Sequence, residues 1–187
     1  MNQAQTTEFD LTYSGLYLDR EKLQENLFNV YRFTNLNNSE IYYNSDLQRI
    51  LQNYRMLFLY LTEGYENDKN MEEEVRALEM KSVMEYMNLV MPDSIIKIQN
   101  PNLKLYAGQK YYNAGMDKDY NRLLKELNNL DSYLEMATFL SQYNDFIESN
   151  RLIQIVLNTY SLGLNDREQA NLKKFLESID LHIQNNV

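Results

Sequence analysis

Few residues in this chain can do chemistry. There is no cysteine and a single histidine, His182, so disulfides, thiol catalysis, Cys-ligated metals and histidine-based triads are ruled out. His182 lies near the C-terminus without an obvious partner and reads as an ordinary surface or edge residue. Asp117 and Asp119 resemble the start of a calcium loop. The other ligands and the closing glutamate at EF-hand spacing are missing, so a turn is the better reading. Glu72-Glu73-Glu74 is no better as a cation site, because consecutive helical residues point in different directions. The run suits the positive end of a helix dipole. Met80, Met84, Met87 and Met91 fit an adaptable binding surface, but the last three fall on their helix's own apolar stripe, which favours core filling. Arg55 flanks another apolar face. An ion pair or hydrogen bonds to loop carbonyls is the first reading for it, and contact with an anion or ligand the second. No catalytic, cofactor-binding or metal-binding residue is assigned, and no enzymatic activity is expected of this segment.

Composition narrows the partners. The net charge of −9 disfavours nucleic acid, whose phosphates need a basic footprint, and disfavours anionic membrane surfaces for the same reason. No apolar run reaches the roughly eighteen residues that a membrane-spanning helix requires. Residues 1–10 lack the basic flank and apolar core of a signal peptide. A soluble segment with a protein or peptide partner is expected. The hydrophobic fraction of 44% over 187 residues is enough for one domain with a sizeable core. Five glycines and two prolines leave few breaks, which favours long helices. The sixteen tyrosines suit amphipathic helices that bury the ring and expose the hydroxyl.

The elements that position these residues read as all-α, about eight helices in antiparallel hairpins. Residues 1–18 are expected to be an extended or disordered leader, 19–183 a single helical-repeat domain, and 184–187 a frayed tail. Asp19 caps a helix to about Tyr31, with Leu23, Leu27 and Val30/Tyr31 on one side. Thr34 to Ser39 is an Asn-rich loop. Asn44 or Ser45 caps the longest helix, whose wide stripe is Leu47, Ile50, Leu51, Tyr54, Leu57, Phe58, Leu61 and Tyr65. A helix capped by Asn70 runs to Pro92, and the apolar connector after it (Ile95, Ile96, Ile98) must pack against something. Further helices start at Asp131, after a break near Asn144-Asp145, and at Asp166.

Residues 100–128 form the best-punctuated hairpin. Asn100 is a good N-cap, Pro101 suits the first helical position, and Gly115 suits the left-handed stop. Leu103, Ala107, Tyr111 and Ala114 form one face, and Tyr120, Leu123, Leu124 and Leu127 the face of the next helix. Aligned to the tetratricopeptide pattern of about thirty-four residues, Gly108, Tyr111, Gly115 and Leu124 fall on its defining positions, whereas Lys104 and Tyr120 depart from it. In that alignment Asn102, Leu105, Gln109, Tyr112 and Asn113 face the concave side, a candidate groove for an extended peptide or a sugar.

Several stretches share one order: Phe28 to Arg32, Leu36 through Ile41-Tyr42-Tyr43, Leu51-Gln52-Asn53-Tyr54-Arg55 with Phe58 and Leu61, Met91-Pro92-Asp93-Ser94-Ile95-Ile96, and Tyr111-Tyr112-Asn113-Ala114-Gly115. Over about residues 15–130 the chain resembles the C-terminal region of a bacterial family of multi-spanning membrane proteins. That family is itself similar to eukaryotic protein O-mannosyltransferases with tetratricopeptide-like luminal tails. The resemblance implies a membrane glycosyltransferase with a lipid-linked sugar donor upstream, and a tail on the extracytoplasmic (periplasmic) face. Its catalytic carboxylate would lie in the membrane part, so no catalytic residue carries over to this chain. Two functions follow as expectations. One is an accessory domain that holds the acceptor or a partner, or stabilises the enzyme. The other is a free-standing helical-repeat adaptor that binds a peptide in its groove.

Overall fold

The computed structural model describes residues 10–11, 17–127 and 129–185. Among them the chain is all-α, with eight α-helices and one minimal ribbon. The ribbon pairs strand β1 (Asp10–Leu11) antiparallel to β2 (Tyr17–Leu18), with Asp10 opposite Leu18 and Leu11 opposite Tyr17. The composition pointed to no strand pair, so this short ribbon is a difference. The rest of the expected leader lies outside the described residues, as do the last two residues of the expected tail.

The chain divides into two compact units, Met1–Asn121 and Arg122–Val187. The boundary falls within helix α5 (Asp117–Glu126), inside the hairpin that the sequence marks most clearly. One body had been expected over 19–183.

In the first unit, Asp19 caps α1 (Arg20–Glu25), its carboxylate accepting from the Lys22 N–H at 3.0 Å. The helix then widens into a π-helical turn over Asn26–Val30. That turn shifts the expected stripe: Leu27 is fully buried while Val30 is exposed, and Tyr31 continues in extended backbone. Asn44 caps the long helix α2 (Ser45–Glu66), accepting from the Leu47 N–H at 2.8 Å. Helix α3 (Glu73–Val90) begins three residues after Asn70, with no side-chain cap, and buries Met80, Val83, Met84 and Met87. Core filling is therefore what these methionines do. Asn100 caps α4 (Pro101–Asn113), accepting from the N–H groups of Asn102 and Leu103. Gly115 closes it at φ +65°, the left-handed conformation that costs glycine nothing. α4 packs on both α2 and α3.

The connector between α3 and α4 is built as firmly as a helix. Ile96 and Ile98 are buried, and the Asp93 carboxylate accepts from the Ile98 N–H at 2.7 Å. Arg55 of α2 is fully buried and donates from Nη2 to the carbonyls of Ile96 (2.6 Å) and Met91 (3.1 Å). The guanidinium thus staples loop carbonyls, the first of the two readings its position allowed.

The second unit is a short antiparallel array, with α7 (Phe146–Tyr160) packed on both α6 (Leu130–Gln142) and α8 (Asp166–Asn185). Asn129 caps α6, and Asn144 turns the chain at φ +61°, where asparagine is tolerated. Ser149 donates to the Ala137 carbonyl at 2.7 Å across the α6–α7 pair. The start of α8 is a capping box between Asn165 and Glu168, reciprocal at 2.9 Å, one residue ahead of the expected Asp166. No helix among the described residues is long and apolar enough to cross a membrane.

Candidate functional site

The side chains expected to line a groove on α4 differ in exposure and in partners. Asn102 is exposed in the first turn, and Gln109 is half-buried. Leu105 is buried, so its side chain is not open to a ligand. The cause is that α4 carries apolar residues on more than one side, and the repeat alignment treated one of those sides as solvent. Tyr112 packs its ring on Tyr120 with centroids 5.5 Å apart. Asn113 donates to Glu66 Oε1 at 2.5 Å and so joins the α2–α4 contact. The residues matched to repeat positions behave structurally: Gly108, Tyr111 and Leu124 are buried and Gly115 is left-handed.

The C-terminal half of α2 holds a polar cluster against α4. Tyr106 donates to Glu63 Oε2 at 2.9 Å, Lys110 pairs with Glu66, and the Lys110 ammonium lies 4.9 Å from the Tyr106 ring centre. Burial, then the charge and hydrogen bond of Glu63 and the charges of Glu66 and Tyr60, push the Tyr106 hydroxyl far above its ordinary pKa. The group therefore stays protonated and acts as a donor. Nearby, Arg20 pairs with Asp68 at 2.7 Å and donates to the Gly64 carbonyl at 3.2 Å. These partly buried contacts tie elements together.

An accessible concavity lies at the other end of α2. It is a cavity of about 260 Å³ lined by Tyr31, Arg32, Phe33, Thr34, Leu36, Leu51 and Tyr54. Its loop is shaped by asparagines. Asn35 takes φ +64°, Asn38 Oδ1 accepts from the Glu40 N–H at 2.9 Å, and the Asn35 carbonyl accepts from the buried Tyr43 hydroxyl at 2.6 Å. This fixed loop carries Tyr31 and Phe33 onto Tyr54. The three rings stand nearly perpendicular, Tyr31–Phe33 at 85° and the other two pairs at 88°, with centroids 6.0–6.4 Å apart. Phe58, fully buried, supports Phe33 at 5.5 Å and touches Tyr86, which stacks on Phe28. Tyr54, which lines the pocket, is exposed, as are Leu47 and Ile50 on the same helix and Ile41 and Tyr42 before it in the chain.

Sequence reasoning missed this pocket. Tyr31 had been assigned to a helix stripe, and Thr34 to Ser39 had been read only as a loop. The available signal was the Tyr-x-Phe pair just before an Asn-rich loop.

Among the described residues no group of three or more His, Cys, Asp or Glu could hold a metal ion. His182 stacks on Phe146 with centroids 4.9 Å apart. Comparison with protein-family models, curated proteins and solved structures gives no match for this chain.

Proposed function

We propose that this chain is a non-catalytic accessory domain of a membrane protein glycosyltransferase, facing the extracytoplasmic side, with tetratricopeptide-like helix pairs and a surface that holds the acceptor polypeptide or a partner. The observation that carries the binding part is the apolar strip Leu47, Ile50 and Tyr54, exposed on one helix, with Tyr54 also lining the aromatic pocket. Apolar side chains at i, i+3 and i+7 of a helix normally face a core. Left open beside a preformed concavity, they mark an interaction site. The link to a glycosyltransferase rests on the shared order of the stretches from Phe28 to Gly115.

Two experiments test these two parts separately. The coding sequence upstream of Met1 is expected to encode many membrane-spanning segments, and a reading frame that starts at Met1 overturns the glycosyltransferase link. Fluorescence anisotropy with labelled unstructured peptides is expected to show binding that Ile50→Asp weakens by about tenfold, since a charge is driven into apolar contact. If the variant binds like the parent chain, the surface assignment fails. A free-standing adaptor would use the same surface, and the upstream sequence separates it from the accessory domain.

A further inference from the structure

The cavity that Tyr54 lines restricts what a bound polypeptide must bring to it. Its lining is mostly apolar: Tyr31, Phe33, Leu36, Leu51 and Tyr54, with the fully buried Phe58 packed on Phe33 at 5.5 Å. The loop after Phe33 is held by its own bonds. Asn35 takes φ +64°, and its carbonyl accepts from the Tyr43 hydroxyl at 2.6 Å. The π-helical turn Asn26–Val30 ends directly at Tyr31, and such turns concentrate at functional sites. A preformed concavity spares a ligand the cost of ordering it. At about 260 Å³ the cavity lies below the range usual for drug-sized ligands, and it suits one large apolar side chain.

One lining residue is charged, and it is a cation. Arg32 stands between Tyr31 and Phe33, is exposed, and makes no hydrogen bond or ion pair among the described residues. Charges farther away than about 8 Å are screened at physiological salt. The lining's own charge therefore outweighs the net −9 of the whole chain for a ligand seated here. A cation is disfavoured at this place. A carboxylate is favoured, because a guanidinium can take one in two parallel hydrogen bonds.

We propose that the cavity anchors one large apolar side chain of the bound polypeptide, and that Arg32 pairs with an acidic residue next to that anchor. The preferred partner sequence is thus an aromatic residue beside Asp or Glu. This rests on the polypeptide surface proposed above and states its specificity.

Fluorescence anisotropy of the full chain with labelled unstructured peptides tests it. Four peptides share one host sequence and differ only at two adjacent positions: Phe-Glu, Phe-Gln, Phe-Lys and Ala-Glu. Phe-Glu is expected to bind tightest, and Ala-Glu about tenfold weaker or more, since the anchor is lost. Phe-Lys is expected about threefold to fivefold below Phe-Glu, the size that suits an exposed ion pair, with Phe-Gln between them. That gap should close as salt is raised toward about 1 M. Arg32→Glu should invert the order of Phe-Glu and Phe-Lys while circular dichroism stays that of the parent, because Arg32 is exposed.

Equal binding of Phe-Glu and Ala-Glu overturns the proposal. So does an order of Phe-Glu and Phe-Lys that Arg32→Glu leaves unchanged. In either case, a loss on Ile50→Asp that is the same for all four peptides leaves the wider polypeptide surface standing. Absence of binding by every peptide overturns both. Sedimentation velocity covers a different occupant: if the parent chain self-associates and Arg32→Glu makes it monomeric, the cavity holds a second copy of this chain and the proposal fails.

Discussion

The two halves of α2 obey opposite rules although they belong to one uninterrupted helix. In the first half three apolar side chains face solvent although Leu51 beside them is buried: Leu47 is 40% exposed, Ile50 52% and Tyr54 38%. In the second half even polar ones are buried, with Arg55 and Thr62 at 0% and Glu63 at 8%. The helix's own periodicity does not distinguish them. The difference lies in what surrounds each half. α1, α3 and α4 pack on this helix, and buried polar side chains of the second half meet partners, as Arg55 Nη2 meets the Ile96 carbonyl and Glu63 meets Tyr106. The first half meets the connector through polar side chains, Gln52 donating to the Lys97 carbonyl and Gln99 to Gln48, and it borders the cavity that Tyr31 and Phe33 also line. Burial is set by neighbours, and an apolar stripe shows only which face is available to be covered. If this contrast is real, substitutions a few residues apart on α2 must differ greatly in their effect on stability.

The largest effect is expected at Arg55. Arg55→Ala removes a side chain with no exposure and leaves the Ile96 and Met91 carbonyls buried without their donor. Breaking such an arrangement from one side costs about 3–5 kcal/mol. Urea unfolding monitored by circular dichroism should show it, with Arg55→Met recovering part of the loss through packing. A change under about 1 kcal/mol would mean that the connector holds itself in place. Next comes Lys110→Met, which takes the countercharge from the mostly buried Glu66 carboxylate and leaves it the Asn113 amide, at a cost of about 1–3 kcal/mol. The double variant Lys110→Met, Glu66→Gln should be less damaged than the single one, because the orphaned charge is gone. If the two losses simply add, the pair is not coupled.

Tyr106 gives the same half of the helix a pH signature. Its folded pKa is raised above the unfolded value of about 10, so the neutral hydroxyl is what the fold retains. For a group with a raised folded pKa, the stability it contributes is complete below the unfolded pKa. Above pH 10 the unfolded chain loses this proton while the folded chain keeps it, so stability declines as pH rises. Tyr106→Phe should be less stable at neutral pH, through the lost bond to Glu63, and should show a shallower decline above pH 10. Ultraviolet titration of tyrosinate absorbance on the folded chain checks the assignment, since Tyr106 should be among the last to ionise. An unchanged pH slope in the variant would assign the decline to other tyrosines.

Legibility in the sequence followed the range of the interaction concerned. Local chemistry could be read directly. Asp19, Asn44 and Asn100 cap where their short polar side chains predict, and Gly115 turns where only glycine turns freely. The buried methionines of α3 and the packed connector followed from apolar residues that had to go somewhere. Long-range consequences were hidden. Tyr31 meets Tyr54 across twenty-three positions only because a π-helical turn and a left-handed Asn35 redirect the chain, and neither has a distinct sequence signal. Leu105 departs from its expected exposure for the converse reason. Leu105 looked like a surface residue because a repeat alignment assigns one side of each helix to solvent, whereas this helix buries residues on more than one side.

The smallest effect on stability should come from the residue that looked most like core in the sequence. Ile50→Ser removes an apolar side chain from the middle of the α2 stripe, and in a buried stripe such a truncation would cost several kcal/mol. At 52% exposure the side chain has little burial to lose, and serine costs the helix only a few tenths of a kcal/mol in propensity. The expected change is within about 0.5 kcal/mol by urea unfolding. The same substitution should lower peptide binding if the exposed stripe is an interaction surface. A loss above about 2 kcal/mol would show that Ile50 is covered in solution, and the contrast between the two halves of α2 would then collapse.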